Sequence, residues 1–257
     1  KSCIKKRCVK GSLFASVVRV FSMKFHKMIN VYKNVYAFIT PSEFLKKKLS
    51  LNGFEEKRIH CIPTFTASKT TIGEPQIGSY GLYFGRVTEE KGVETVIKAY
   101  EKLPEYTVKI MGDDTTDEAK RLKKYVENHK MKNVEFLGFK SGAELENVIK
   151  GARFTLIPSI WYDNLPNTAL ESFQYSKPVI ASNIGSLPEL VIDGENGYLF
   201  KPSNVEDLIK KIKMLDDDTL VKKMGQASRK RLESRFAPQT HYEDLMKIFN
   251  EAVKSRK

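Results

Sequence analysis

Arg86 and Lys91 lie in a glycine-bounded turn, Gly85-Arg86-Val87-Thr88-Glu89-Glu90-Lys91-Gly92, between an apolar run and an amphipathic one. A planar guanidinium grips two anionic oxygens at once and an ammonium acts as a point charge, so the pair suits a pyrophosphate. Farther along, Asp163 and Glu171 flank a second turn, Asp163-Asn164-Leu165-Pro166-Asn167-Thr168. Pro166 opens a helix there, where a missing N–H costs nothing and φ is already set. The N–H groups of the first turn, around Asn167 and Thr168, lack helical partners and can hold a phosphate. Glu171, about one and a half turns in, can accept from both hydroxyls of a ribose diol. Asp163, ahead of the helix, suits hydroxyls of a second ring. Together these groups describe a nucleotide-sugar site. Any one of them alone is more simply ordinary structure, with Asn164 as a cap and Glu171 in solvent.

Such groups need a scaffold that aims them at one place. Strand and helix patterns alternate from Ser79 to Phe200, with apolar runs before Gly85, at Tyr106–Met111, Val134–Leu137, Phe154–Ile157 and Pro178–Ala181. That alternation predicts an α/β domain, a doubly wound parallel sheet with helices on both faces. Ligands in such sheets bind beyond the carboxyl ends of the strands. Arg86, Asp113, Phe139, Asp163 and Gly185 all fall just after predicted strand ends. Asp113 is read as the cap of the next helix, and Asp216-Asp217-Asp218 as a cap rather than a cation site. Upstream, Gly11–Asn30 reads as a helix whose stripe of Leu13, Phe14, Val17, Phe21, Phe25 and Met28 packs on its own domain. A short strand is expected within Val35–Ile39, then a helix capped by Ser42, then a strand at Arg58–Pro63. Residues 66–78, rich in Thr, Ser, Gly and Pro, read as a linker. The division is therefore 1–65, the linker 66–78, a domain over 79–236 and a final helical segment, 237–257.

The chain has 257 residues, 41% of them hydrophobic, so a sizeable core is expected rather than disorder. No apolar run approaches a membrane span and no signal peptide is visible. Cys3, Cys8 and Cys61 form no metal-binding or paired set and are expected as reduced thiols, consistent with a cytoplasmic location. The four histidines share no constellation, and Ser-His-Asp or Cys-His catalysis has no support. The net charge is +13, but its distribution is uneven. Through His60 there are 14 Lys and Arg against 3 Asp and Glu; beyond it, 30 against 28. Basic charge beside the apolar stripe of residues 1–30 could meet an anionic membrane surface. Nucleic acid is not expected as a partner, because no aromatic-basic interleaving or reader motif is present.

The two turns also resemble the donor-site signature of retaining glycosyltransferases of the GT-B fold, family four. Those enzymes carry a G-R-x-x-x-x-K-G motif, matched at Gly85, Arg86, Lys91 and Gly92. They also carry two acids separated by seven residues, then Pro-Val-Val and a Gly-x-x-Glu segment. Glu171 matches the second acid, Pro178-Val179-Ile180 the strand, and Gly185 to Glu189 the segment after it. Asp163 stands at the first acid, one methylene shorter than the usual Glu. The resemblance implies a Rossmann-like C-terminal half of a GT-B fold with the tail of the N-terminal domain. It implies Arg86 and Lys91 on the donor diphosphate, Glu171 on the ribose and Asp163 on the sugar. It also places Gly138, Phe139 and Lys140 along the nucleobase, with Asn164, Leu165, Pro166, Asn167 and Thr168 around the phosphates.

The expected function is transfer of a sugar from a UDP- or GDP-sugar, with retention, to a glycan or lipid-linked acceptor. Cell-surface polysaccharide or glycolipid synthesis is the expected setting, in the cytoplasm or on the inner face of the membrane. No metal or other cofactor is expected, since side-chain cations face the leaving group. The resemblance covers Lys33 onward and lacks most of an N-terminal domain, so the chain is expected to be mainly donor-binding. The alternative is a nucleotide-sugar-binding module without catalysis.

Overall fold

The computed structural model describes residues 2–66 and 76–255. Most of the expected linker falls on 67–75 and so lies outside the described residues. The chain begins with a short helix, α1 (Ser2–Lys5), and a longer one, α2 (Leu13–Met28). Two strands, β1 (Phe38–Thr40) and β2 (Ile59–Cys61), pair in parallel around α3 (Glu43–Leu51). Six strands then form the main sheet: β3 (Tyr80–Phe84), β4 (Thr107–Met111), β5 (Val134–Gly138), β6 (Ala152–Ile157), β7 (Val179–Ser182) and β8 (Gly197–Phe200). The helices between and after them are α4 (Val93–Glu101), α5 (Asp117–Asn128), α6 (Gly142–Lys150), α7 (Asn167–Gln174), α8 (Leu187–Leu190), α9 (Val205–Lys213), α10 (Asp218–Arg235) and α11 (Pro238–Lys254).

All pairings in the main sheet are parallel, and the order is β5-β4-β3-β6-β7-β8. The chain winds outward one way from β3 and the other way from β6, so the order reverses between these two strands. A crevice is expected at that point because the helices that follow β3 and β6, α4 and α7, pack on opposite faces of the sheet. The expected doubly wound α/β sheet is therefore present.

The strands are apolar on both faces, as a sheet covered twice must be. Tyr83, Ile110, Leu156 and Ile180 face Val96, Ile97 and Tyr100 of α4, Leu122 of α5 and Leu208 and Ile212 of α9. Ile157, Val179 and Ala181 face Leu170 and Phe173 of α7, Leu187 and Leu190 of α8 and Leu232 of α10. Each fully buried side chain of this kind contributes ~1.5–3 kcal/mol through apolar burial.

Several local expectations are corrected. The strand expected at Val35–Ile39 begins only at Phe38. The Arg58 guanidinium donates to the carbonyls of Tyr32, Lys33 and Tyr36, which holds that stretch out of the ladder. Helix α2 forms with Ser12 as its cap, but its stripe does not pack. Phe14 is 78% exposed, Phe21 68% and Met28 72%, and Ser16 is the buried residue of this helix. Asp113 does not cap α5; its Oδ1 accepts from the backbone and hydroxyl of Thr115, and Thr116 is the cap. Pro166 sits one position earlier than expected, as the N-cap residue of α7. Asp217 does cap α10.

Candidate active site at the switch point

The turn after β3 is shaped by close backbone approach. Gly85 N–H donates to Met111 O, and Gly112 passes so near that a Cβ there would lie 1.9 Å from Gly85 O. Gly92, at φ 69°, closes the turn against the loop after β6; a Cβ on it would lie 2.1 Å from Pro158 O. Ile160 N–H donates to Glu90 O at 3.0 Å, so the two loops are zipped together. The Tyr83 hydroxyl donates to Arg86 O at 2.5 Å. Burial, with Asp163 nearby, raises that phenol and keeps it neutral. Arg86 leaves the turn with its guanidinium largely exposed, 3.9 Å from Glu90.

A cavity of about 310 Å³ lies beyond the strand ends, lined by Gly85, Arg86, Asp113, Phe139, Lys140, Thr168 and Glu171 among others. Arg86 and Glu171 thus share one cavity although 85 residues separate them in sequence. Glu171 is half-buried, and burial pushes its carboxyl above the usual range. Thr168 stands in the first turn of α7, whose N-cap makes no side-chain hydrogen bond. Phe139 is 75% exposed at the mouth, following Gly138 at the end of β5. Lys140 pairs with Glu144 at 3.4 Å.

Lys91 and Asp163 lie outside that lining and meet each other instead. Lys91 Nζ is 2.6 Å from Asp163 Oδ2, and the Ser159 hydroxyl donates to the same oxygen at 2.7 Å. The Trp161 ring lies 5.8 Å from the ammonium. Both partners are largely buried, with side-chain exposures of 17% and 11%. The Asp163 backbone is fixed as well: the Ser186 hydroxyl donates to Asp163 O at 2.8 Å and accepts from Leu165 N–H at 2.6 Å. Between them the chain turns through Leu165 at φ 52°, a left-handed state costly for a branched side chain.

Asn164, Leu165, Pro166 and Asn167 are not part of the cavity lining. Asn164 caps nothing; its Oδ1 accepts from Ser42 of α3 at 2.8 Å. Ser159, Ser186 and Glu189 were missed as site residues. The contacts of Ser186 and Glu189 run to backbone far away in sequence, which leaves no spacing signal, whereas Ser159 reaches Asp163 only four residues on. Among the described residues, no cluster of His, Cys, Asp and Glu could hold a metal ion.

The arrangement offers an exposed guanidinium, an uncapped helix start and a half-buried carboxylate around one cavity, with a buried ion pair alongside. Residues 68–231 match the family described as glycosyl transferases group 1. An uncharacterised glycosyltransferase of Methanocaldococcus jannaschii, MJ1178, is 30% identical over 174 residues, 67% of this chain and 48% of that protein. The capsular polysaccharide biosynthesis glycosyltransferase CapM of Staphylococcus aureus is 24% identical over 177 residues, 67% of this chain and 46% of that one. The crystal structure of Anabaena HepE with UDP-glucose superposes with a TM-score of 0.73 at 20% identity, covering 86% of this chain and 64% of that one. The chain thus spans about half the length of the curated relatives. Its fold is that of the GT-B glycosyltransferases, and the chain belongs to the group 1 glycosyltransferase family.

Proposed function

We propose that this chain carries the donor site of a retaining glycosyltransferase that uses a nucleoside-diphosphate sugar. The observation that carries the reading is the shared cavity of Arg86 and Glu171 at the strand-order reversal. Arg86 takes the diphosphate bidentately, and the first turn of α7 at Asn167 and Thr168 adds backbone donors. Glu171 accepts from the ribose hydroxyls, and Phe139 and Lys140 lie along the base. Asp163 faces the sugar, and Lys91, held between Asp163 and the phosphates, carries positive charge toward the leaving group. As the bond from the anomeric carbon to the diphosphate breaks, negative charge grows on the leaving oxygen, and these cations and dipoles stabilise it. The acceptor oxygen attacks from the same face, and its proton passes to the departing phosphate oxygen.

The acceptor class is a glycan or a lipid-linked sugar, as the resemblance to a capsular polysaccharide enzyme supports. Work on such an acceptor fits the inner face of a membrane. The exposed apolar side of α2, with Arg19, Lys24 and Lys27 along it, suits an anionic lipid surface. Among the described residues no helix is long and apolar enough to cross a membrane. A second reading, a donor-binding module without turnover, is favoured by the tight engagement of Asp163 with Lys91 and Ser159. Calorimetric titration with UDP, GDP and ADP tests the main proposal. One of the three is expected to bind one-to-one with micromolar affinity, and absence of binding by all three contradicts it. Sugar transfer after adding a complementing acceptor domain separates the two readings.

A further inference from the structure

Helix α3 meets the Asp163 turn through its own first turn. Both carboxylate oxygens of Glu189 accept from backbone N–H groups there, Oε2 from Glu43 at 2.8 Å and Oε1 from Phe44 at 2.6 Å. Ser42, the N-cap residue, accepts from Leu45 N–H and gives its own proton to Asn164 Oδ1 at 2.8 Å. The Phe44 and Tyr162 rings lie 5.0 Å apart, and the Lys48 ammonium sits 4.8 Å over Tyr162. One short segment of the two-stranded unit therefore holds the residues immediately before and after Asp163. On the other side the grip is anchored, because Arg231 of α10 donates to Glu189 O at 2.6 Å.

The segment it holds is the strained one. Leu165 holds a left-handed backbone, and Ser186, the residue before α8, constrains it by accepting from Leu165 N–H while donating to Asp163 O. Ser42, at the start of α3, holds Asn164 beside it, and Glu189 of α8 holds the first turn of α3 in place. A helix N-terminus capped by a carboxylate of another element is a charge-assisted contact that is either made or broken, since the N–H groups point along one axis.

We propose that the first turn of α3 is a latch on the Asp163 turn, with Glu189 and Ser42 as positioning residues that set the sugar-side carboxylate. This deepens the donor reading above and rests on it for the identity of the ligand. A shift of β1, β2 and α3 on the main sheet breaks the latch and frees the 161–166 loop. Re-engagement restores the Asp163–Lys91 geometry. Seating of the two-stranded unit thereby governs whether the sugar end of the site is formed, while the nucleotide cavity, walled by Arg86, Phe139 and Glu171, has no α3 residue in its lining.

Hydrogen–deuterium exchange on the full chain tests the latch without any ligand. Glu189→Gln replaces one acceptor by a donor facing an N–H, and Asn164→Ala removes the acceptor for Ser42. Both are expected to raise exchange in 161–166 roughly fivefold or more, with the core strands unchanged. Asn164→Asp keeps an acceptor and is expected to exchange like the parent. If Glu189→Gln fails to fold, the Asn164 pair decides. Unchanged exchange in 161–166 for both variants, or equal loss in Asn164→Ala and Asn164→Asp, overturns the latch. Calorimetry with UDP and UDP-glucose is the second arm. Glu189→Gln is expected to hold UDP within about twofold and to lose most of any added affinity from the glucose. A parent chain that binds neither ligand, yet shows the exchange pattern, defeats the donor reading and leaves the latch standing.

Discussion

Glu171 is held where its charge is disfavoured, and that gives its role a measurable sign. Burial raises its carboxyl, so the folded chain keeps this proton to higher pH than the unfolded chain does. Its contribution to stability is full below the ordinary carboxylate value and is lost as pH rises through the folded one. Glu171→Gln is therefore expected to raise the melting temperature at neutral pH while weakening nucleotide binding about tenfold. An unchanged affinity would remove Glu171 from the site. Asp163 is held differently, by the Lys91 ammonium and the Ser159 hydroxyl. Asp163→Asn leaves the Lys91 ammonium largely buried without its counter-charge, and a loss of up to about 3–5 kcal/mol is expected in a urea titration. A loss below about 0.5 kcal/mol would show the pair to be dispensable. That Arg86 and Glu171 border one cavity was legible because each stands at a fixed offset from a strand end or a helix start. The direct pairing of Lys91 with Asp163 was not, since a contact spanning 72 residues is decided by where two loops meet. Ser186 and Glu189 escaped for the same reason.

At the scale of elements, five of the six strands of the main sheet followed from apolar runs, because both sheet faces are covered and periodicity survives; the edge strand β8, which starts at a turn signal, Gly197, did not. The latch of α3 and the late start of β1 did not follow, since capping by Glu189 and the Arg58 grip on three carbonyls are non-local. Lys177 is another such case. It is buried to 2% exposure before β7, and its ammonium donates to Gln76 O, Lys150 O and Ala152 O at 2.6–2.7 Å. Burial pushes its pKa down to about 8. This side chain ties the residue after the 67–75 segment to the start of β6. Lys177→Met leaves these carbonyls without their donor and is expected to cost at least about 1–3 kcal/mol in thermal or urea unfolding. A neutral outcome would mean that water replaces the ammonium.

At the scale of the molecule, basic charge is concentrated before residue 61, and the same region shows its apolar side in α2. The helical spacing of that stripe predicts inward packing, but a pattern carries amphipathicity and not the identity of what covers it. Flotation with anionic vesicles is expected to carry the chain upward and to weaken at high salt, and deletion of residues 1–30 is expected to abolish it. Flotation that survives the deletion would place the lipid contact elsewhere. The proposed donor site requires one ligand to bridge the loop after β3 and the helix after β6. Titration of the parent chain, Arg86→Ala and Glu171→Ala with whichever of UDP, GDP and ADP binds tests this most directly. Each substitution is expected to weaken binding about tenfold or more, near 1.4 kcal/mol, by removing contacts to the diphosphate or the ribose of the same nucleotide. Binding by both variants within twofold of the parent would contradict it.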